Sequence, residues 1–301
     1  MKFFKKHGAH LRLWVQIIFT ALTNGYVLGF AKGKIYQGGS KQLCVPGLNC
    51  YSCPGALGSC PIGSLQAVIG SRNFNISFYV LGFLMIVGSL MGRFVCGWLC
   101  PFGLVQDLLH KLPVKKLHRV PGDRYLRYLK YVILLVFVIG LPLLLTGKSG
   151  ISSPWFCKLI CPSGTLLGGI PLVAANPSFQ KIIGGLFSWK VSILILVLLS
   201  SIVIYRPFCK YLCPLGAVYG LFNRFSLYRY EIDRDKCTGC GLCHKKCGMG
   251  VNVCMTPNSA ECIRCGECLR VCPHQAIRKT ISIKTNAAVD GDLLKAGRES
   301  K

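Results

Sequence analysis

Residues 13–31, 73–92 and 131–147 carry no charged side chain, and 189–205, which extends back towards Ile182, carries only Lys190. A hydrocarbon core about 30 Å thick takes a helix of about 20 apolar residues. Inside it every backbone polar group must be satisfied within the segment itself. The runs therefore predict four spanning helices. Composition agrees, with 52% of the 301 residues hydrophobic and 15% charged. Behind Lys2, Lys5 and Lys6 the first run exceeds the roughly 7 to 15 residues of a signal-peptide core and shows no small-residue cleavage site, so it reads as a retained helix.

Lys and Arg number four before the first run, eight from Arg93 to Lys130 and four from Arg206 to Arg229, against four between Lys32 and Arg72 and four between Lys148 and Lys190. The positive-inside rule then predicts a multi-pass protein of the cell (cytoplasmic) membrane with both termini in the cytoplasm. Segment 159–180 is also uncharged, but Pro162, Pro171 and Pro177 break it. It reads as a half-helix and loop tucked into the bundle, where protein shields irregular backbone. The net charge of +26 belongs to this orientation pattern; membrane lipid is the expected contact, and nucleic acid is not, since no motif for it is present. The chain divides into a basic cytoplasmic N-terminus (1–10), a membrane domain (11–230), a soluble module (231–281) and a polar tail (282–301) whose composition predicts disorder.

Nineteen cysteines at regular spacings point to metal ligation rather than a disulfide framework. Cys237, Cys240, Cys243 and Cys247 follow C-x2-C-x2-C-x3-C, and Cys262, Cys265, Cys268 and Cys272 repeat it, with Pro273 next. Three closely spaced thiolates grip three corners of a cubane while the fourth reaches the neighbouring cluster. The spacing therefore assigns Cys237, Cys240, Cys243 and Cys272 to one [4Fe–4S] cluster and Cys262, Cys265, Cys268 and Cys247 to a second. The pattern resembles that of bacterial two-cluster ferredoxins. Gly248 stands where proline is usual, and Cys254 fits neither set and reads as a buried or free thiol.

A second pattern, C-P-x-G, recurs at Cys60, Cys100, Cys161 and Cys213, and the last three have a cysteine four residues earlier at Cys96, Cys157 and Cys209. Proline suits the first position of a helix, so each motif predicts a short helix whose positive end faces a thiolate-bound anion. By topology Cys96, Cys100, Cys209 and Cys213 share the cytoplasmic side and supply four ligands of an inner cluster. Cys157 and Cys161 lie on the other side, with Cys44, Cys50, Cys53 and Cys60. Cys53 and Cys60 are the favoured partners in an outer cluster, and Cys44 and Cys50 a disulfide or substitute pair. The cofactors expected are thus two [4Fe–4S] clusters in the module and one or two in the membrane domain. Arg93 and Arg206 precede Cys96 and Cys209 by three residues and are candidate donors to cluster sulfur or to a quinone headgroup, although an arginine at a span end is more often an orientation anchor. Trp98, Trp155 and Trp189 fit interfacial anchoring.

The expected architecture is an α-helical membrane protein of about four transmembrane helices plus Cys-Pro-initiated half-helices, with a C-terminal α+β ferredoxin-like domain. Its carriers, Cys96-Gly-Trp-Leu-Cys100-Pro, Cys209-Lys-Tyr-Leu-Cys213-Pro and the two ferredoxin runs, resemble the NapH family of membrane ferredoxin-type proteins. MauN proteins and the membrane portion of NosR-type proteins are similar too. The resemblance implies electron transfer between a quinol pool or cytoplasmic donor and an extracytoplasmic redox partner. Cys157/Cys161 and the loop 44–60 exceed the two half-sites of that core pattern and favour a route across the membrane. No motif for a catalytic acid, base, nucleophile or nucleotide loop stands out, so substrate chemistry is expected to belong to a partner. Quinol oxidation at the cytoplasmic face and reductive maturation of a metalloenzyme are the alternative readings.

Overall fold

The computed structural model describes residues 2–71, 77–117, 120–145, 152–181 and 183–281, and side chains of these from residue 10 onward except Ser77. The polar tail and the ends of the second and third expected spans, 73–76 and 146–147, lie outside the described residues.

Helix α1 runs Lys2–Thr23. The first expected span, 13–31, is therefore not one helix. Thr23 Oγ1 donates to Phe19 O at 2.8 Å and Asn24 Nδ2 to Thr20 O at 3.2 Å. Polar side chains that turn back onto the last carbonyls, followed by Gly25, stop the helix. The chain resumes as the short helix Val27–Lys32.

Six more apolar helices follow: α2 (Pro61–Ile69), α3 (Ser77–Met91), α4 (Pro101–His110), α5 (Asp123–Leu144), α6 (Pro162–Ala175) and α7 (Gly185–Val203). Among the described residues α5 and α7 are long and apolar enough to cross a membrane, while Phe78–Met91 and α6 are apolar but shorter. Large apolar side chains point outward from these helices, with Leu135 63% and Leu196 66% exposed. Helices α5 and α6 each carry a π-helical stretch, Leu134–Gly140 and Thr165–Gly169, shortly before Pro142 and Pro171. Proline lacks the N–H for the helical ladder and crowds the carbonyl four residues earlier, and a wider turn relieves both.

Helix α8 (Pro214–Phe222) leads into the C-terminal module. There β1 (Tyr228–Ile232) pairs antiparallel with β2 (Ile277–Ile281), Tyr228 opposite Ile281 and Ile232 opposite Ile277. The ribbon closes around two short helices, α9 (Leu242–Lys246) and α10 (Glu267–Val271).

Candidate metal centres

In the module, each short helix begins after a glycine with positive φ, Gly241 at 70° and Gly266 at 85°. Such turns let three cysteines curl around one point before the fourth leaves along the helix. One cavity is lined by Cys237, Cys240, Cys243 and Cys272, and a second by Cys247, Cys262, Cys265 and Cys268. The linings pair the two runs crosswise. Among the described residues no group of three or more His, Cys, Asp or Glu side chains converges as one small ion requires. A cubane takes one thiolate at each iron corner, and these wider four-sulfur sets fit it.

The membrane-domain half-sites share one local build. A short helical turn carries the first cysteine, in Phe94–Trp98, Trp155–Leu159 or Phe208–Leu212. The chain then extends, and the second cysteine becomes the N-cap of a helix opened by proline, as at Cys100, Cys161 and Cys213, and at Cys60 as well. The glycine of C-P-x-G turns its amide to that cysteine. Gly216 N–H donates to Cys213 Sγ at 3.4 Å, and the amides of Gly63, Gly103 and Gly164 face Cys60, Cys100 and Cys161.

At the inner site, Cys96, Cys100, Cys209 and Cys213 are buried within electrostatic range of one another. Two arginines cross between the half-sites. Arg93, which precedes Cys96, donates through Nη2 to Cys209 O at 2.8 Å, while Arg206, which precedes Cys209, donates through Nη1 to Cys96 O. Gly216 and Gly103 leave room for them, since a Cβ would lie 3.3 Å from Arg93 Nη2 and 3.2 Å from Arg206 Nη1. Both arginines are 0% exposed, which replaces the anchor expectation: their heads are inside the protein. Each has a carboxylate, Arg93 Nη1 donating to Glu261 Oε2 and Arg206 Nε to Asp107 Oδ1, both at 2.8 Å. Lys130 shares Glu261 and Arg12 shares Asp107.

Four cations thus face two carboxylates, an excess of positive charge that an anionic thiolate-bound cluster would balance. Burial pushes the Asp107 carboxyl up, but the Arg206 and Arg12 guanidiniums outweigh it and hold it down at about 2. Burial likewise opposes ionisation of Glu261, and Arg93 and Lys130 hold it below the usual carboxylate range.

The outer cysteines gather differently from the expectation. Cys161 is within electrostatic range of Cys157, Cys50 and Cys60, and Cys60 of Cys157 and Cys50. A Cβ on Gly164 would lie 3.4 Å from Cys50 Sγ and 4.0 Å from Cys161 Sγ. Cys53 instead points its thiol at Asn24 Oδ1, 3.6 Å away. Cys50 and Cys53 are three residues apart in a turn closed by Cys53 N–H to Cys50 O; the two lie within electrostatic range of each other, and Cys50 also lies within range of Cys60 and Cys161. Cys44 sits beside Ser59 and is a free thiol like Cys50. Lys41 is 5% exposed with no hydrogen-bond partner for Nζ, and its charge faces Cys50 and Cys53. Its Nζ lies 4.9 Å over the Tyr51 ring, and a buried ammonium with no hydrogen-bond acceptor marks a place where an anion fits.

Two glutamines escape a reading based on cysteine spacing. Gln106 donates to Cys209 Sγ at 3.2 Å and accepts from Phe208 N–H at 3.2 Å. Gln66 donates to Cys157 Sγ at 3.4 Å and accepts from Phe156 N–H at 2.9 Å. Both are 0% exposed and lie six residues after the C-P-x-G cysteine, so C-P-x-G-x-x-Q was the signal that would have found them. In the motif at Cys213 that position is Tyr219, buried between the two membrane-domain sites and donating to Pro46 O at 3.1 Å.

The sites touch in series. Gly97 lies against the backbone of Ile263, between Cys262 and Cys265; a Cβ there would be 2.2 Å from Ile263 O. Trp98 donates to Arg264 O at 3.0 Å, so it holds the module instead of anchoring at an interface. Asn223 Nδ2 donates to Cys262 O at 2.8 Å. Arg264, at φ 52°, donates to Met91 O and Asn223 O. On the other side, Gly47 packs on Cys100 Cα, Leu48 turns its amide to Cys100, and Leu48 O accepts from Ser163 Oγ at 3.5 Å. Gly248 is explained too: a Cβ would fall 2.6 Å from the Tyr205 ring, which excludes proline.

Residues 76–119 and 178–229 match a family model described as a 4Fe-4S binding domain, and 230–251 and 255–278 match a second of the same description. An uncharacterized protein of Methanocaldococcus jannaschii is 30% identical over 67% of this chain and 77% of its own length. The ferredoxin-type protein NapH of Haemophilus influenzae is 27% identical over 65% of this chain and 64% of its own. The methylamine utilization ferredoxin-type protein MauN of Paracoccus denitrificans is 32% identical over 55% and 50%. The chain thus spans about half to two thirds of the length of the relatives that carry names. No solved structure matches it. With 4Fe-4S domains over the half-sites at Cys96/Cys100 and Cys209/Cys213 and over the module, the chain belongs to the NapH/MauN-type family of ferredoxin-type 4Fe-4S binding proteins.

Proposed function

We propose that this chain is a membrane-integral electron-transfer protein that links a cytoplasmic or quinol donor to an extracytoplasmic redox partner. The observation that carries this is the unbroken series of contacts from one cysteine set to the next. Four sites follow in order. The distal site is Cys237, Cys240, Cys243 and Cys272, and the proximal site Cys247, Cys262, Cys265 and Cys268. The inner site is Cys96, Cys100, Cys209 and Cys213, and the outer site Cys50, Cys60, Cys157 and Cys161. A bound [4Fe–4S] cluster supplies one-electron chemistry at each.

The protein's part is to hold the sites close and dry. Gly97 lets the proximal loop rest on the inner half-site without an intervening side chain. The peptide of Leu48, turned to Cys100 at its amide and to Ser163 at its carbonyl, joins the inner set to the outer one. Clusters at the two faces of a hydrocarbon core about 30 Å thick would be poorly coupled, and this loop favours sites carried inward. The outward apolar faces of α3, α5 and α7 support lipid around the helices, and the Lys and Arg balance supports a cytoplasmic module.

The test is iron and acid-labile sulfide per chain after anaerobic purification. About sixteen irons, as four cubanes, falling to about twelve in Cys157→Ser/Cys161→Ser, is the expected result. Cys50→Ser should give about the same loss and Cys53→Ser none. About twelve irons in every protein, wild type included, would sink the outer site and with it the route across the membrane.

A further inference from the structure

Cys254 belongs to neither four-cysteine set, yet it lines the distal cavity beside Cys237, Cys240, Cys243 and Cys272. Its Sγ is 3.2 Å from Cys243 Sγ, and it lies close to Cys237 as well. The placement is built. Val251 and Val253 are 3% and 2% exposed and fix the strand of loop before and around it. Thr256 N–H donates to Asn252 O at 2.8 Å and closes a turn over residues 252–256. A thiol serving only as a small apolar filler gains nothing from lying against another sulfur at a metal site.

We infer that Cys254 is a reserve ligand of the distal site, able to take the iron corner that Cys243 otherwise holds. In the exchange Cys254 gives up its thiol proton as its sulfur bonds to iron. Cys243 leaves the same iron and takes up a proton, so one Fe–S bond replaces another and no electron moves. The distal site has the most need of such a reserve, because Cys240 is exposed and a cluster there meets solvent and oxidants first. The inference rests on the assignment of Cys237, Cys240, Cys243 and Cys272 as ligands.

The experiment separates the two. Full-length protein is purified anaerobically as Cys243→Ala, Cys254→Ala, Cys243→Ala/Cys254→Ala and Cys240→Ala, and iron and sulfide are counted with electron paramagnetic resonance of the reduced protein. Cys243→Ala and Cys254→Ala should each keep the wild-type count, about sixteen irons, and the double variant should lose up to about four. Cys240→Ala removes a corner other than the one Cys254 lies against, which is that of Cys243, and should lose as much as the double variant. About twelve irons retained in the double variant reports that the remaining sites and the fold are intact. Loss in Cys243→Ala equal to that in Cys240→Ala would overturn the reserve role and leave the ligand assignment standing. Full iron in Cys240→Ala would overturn the ligand assignment, and the reserve role with it.

Discussion

Replacing Gly97 by alanine tests the seat of the module on the membrane domain. The new Cβ would lie 2.2 Å from Ile263 O and 3.4 Å from its carbonyl carbon, about 1.2 Å short of ordinary contact with the oxygen. The obstacle is backbone, pinned by Trp98 on Arg264 O and Asn223 on Cys262 O, so no rotamer change relieves it. Overpacking of this kind costs about 1–3 kcal/mol, which raises the opening of the contact about 5- to 150-fold. Hydrogen–deuterium exchange of peptides across 257–266 in the holoprotein reads that opening directly. Gly82→Ala is the control: nothing lies within 4 Å of its Cβ position, and a helix-interior alanine gains about 1 kcal/mol. Exchange across 257–266 that is the same in Gly97→Ala, Gly82→Ala and wild type would refute the direct seating of the proximal loop on the inner half-site.

Other consequences are as specific. Gln106→Ala and Gln66→Ala each remove one hydrogen bond to a sulfur, a donor that favours the more negative, reduced state. At about 0.5–1.5 kcal/mol per bond and ~59 mV per tenfold for one electron, the inner or outer potential should fall by roughly 20–65 mV in a redox titration. Glu261→Ala strands Arg93 and Lys130, both 0% exposed. Breaking such a pair costs about 3–5 kcal/mol, so the holoprotein should melt markedly lower, whereas an unchanged melting temperature would contradict the buried network. Glu261 is held below its ordinary range in the fold. Its contribution is therefore complete above about pH 4.5 and is lost as pH falls below that value, and exchange across 257–266 should rise on that side only.

The module was the most legible part, because C-x2-C-x2-C-x3-C spaces three cysteines tightly enough that local chain geometry brings them to one cavity. Prolines 61, 101, 162 and 214 were equally readable, since a helix start is a local property. Failures lie where distant residues decide. Cys50 and Cys53 are three residues apart and chemically identical; which one faces Cys60 depends on a turn whose direction nothing in 44–60 announces. Arg93 and Arg206 look like span-end arginines until Glu261 and Asp107, 168 and 99 residues away, come to meet them. The interruption of 13–31 at Thr23 was visible as Thr-Asn-Gly, but hydropathy averages over it.

The crossed arginines also set an order of manufacture. Arg93 emerges from the ribosome 168 residues before Glu261, and Arg206 emerges 99 residues after Asp107. Cys161, the last of Cys50, Cys60, Cys157 and Cys161, is translated well before Cys213, and Arg206 finds Asp107 already made, whereas Arg93 meets its carboxylate only once the C-terminal module has been made. A nascent chain halted after residue 230 therefore holds all its membrane cysteines and a guanidinium without its carboxylate. The module's arrival brings Glu261 to both Arg93 and Lys130, so one late carboxylate meets two cations made long before it.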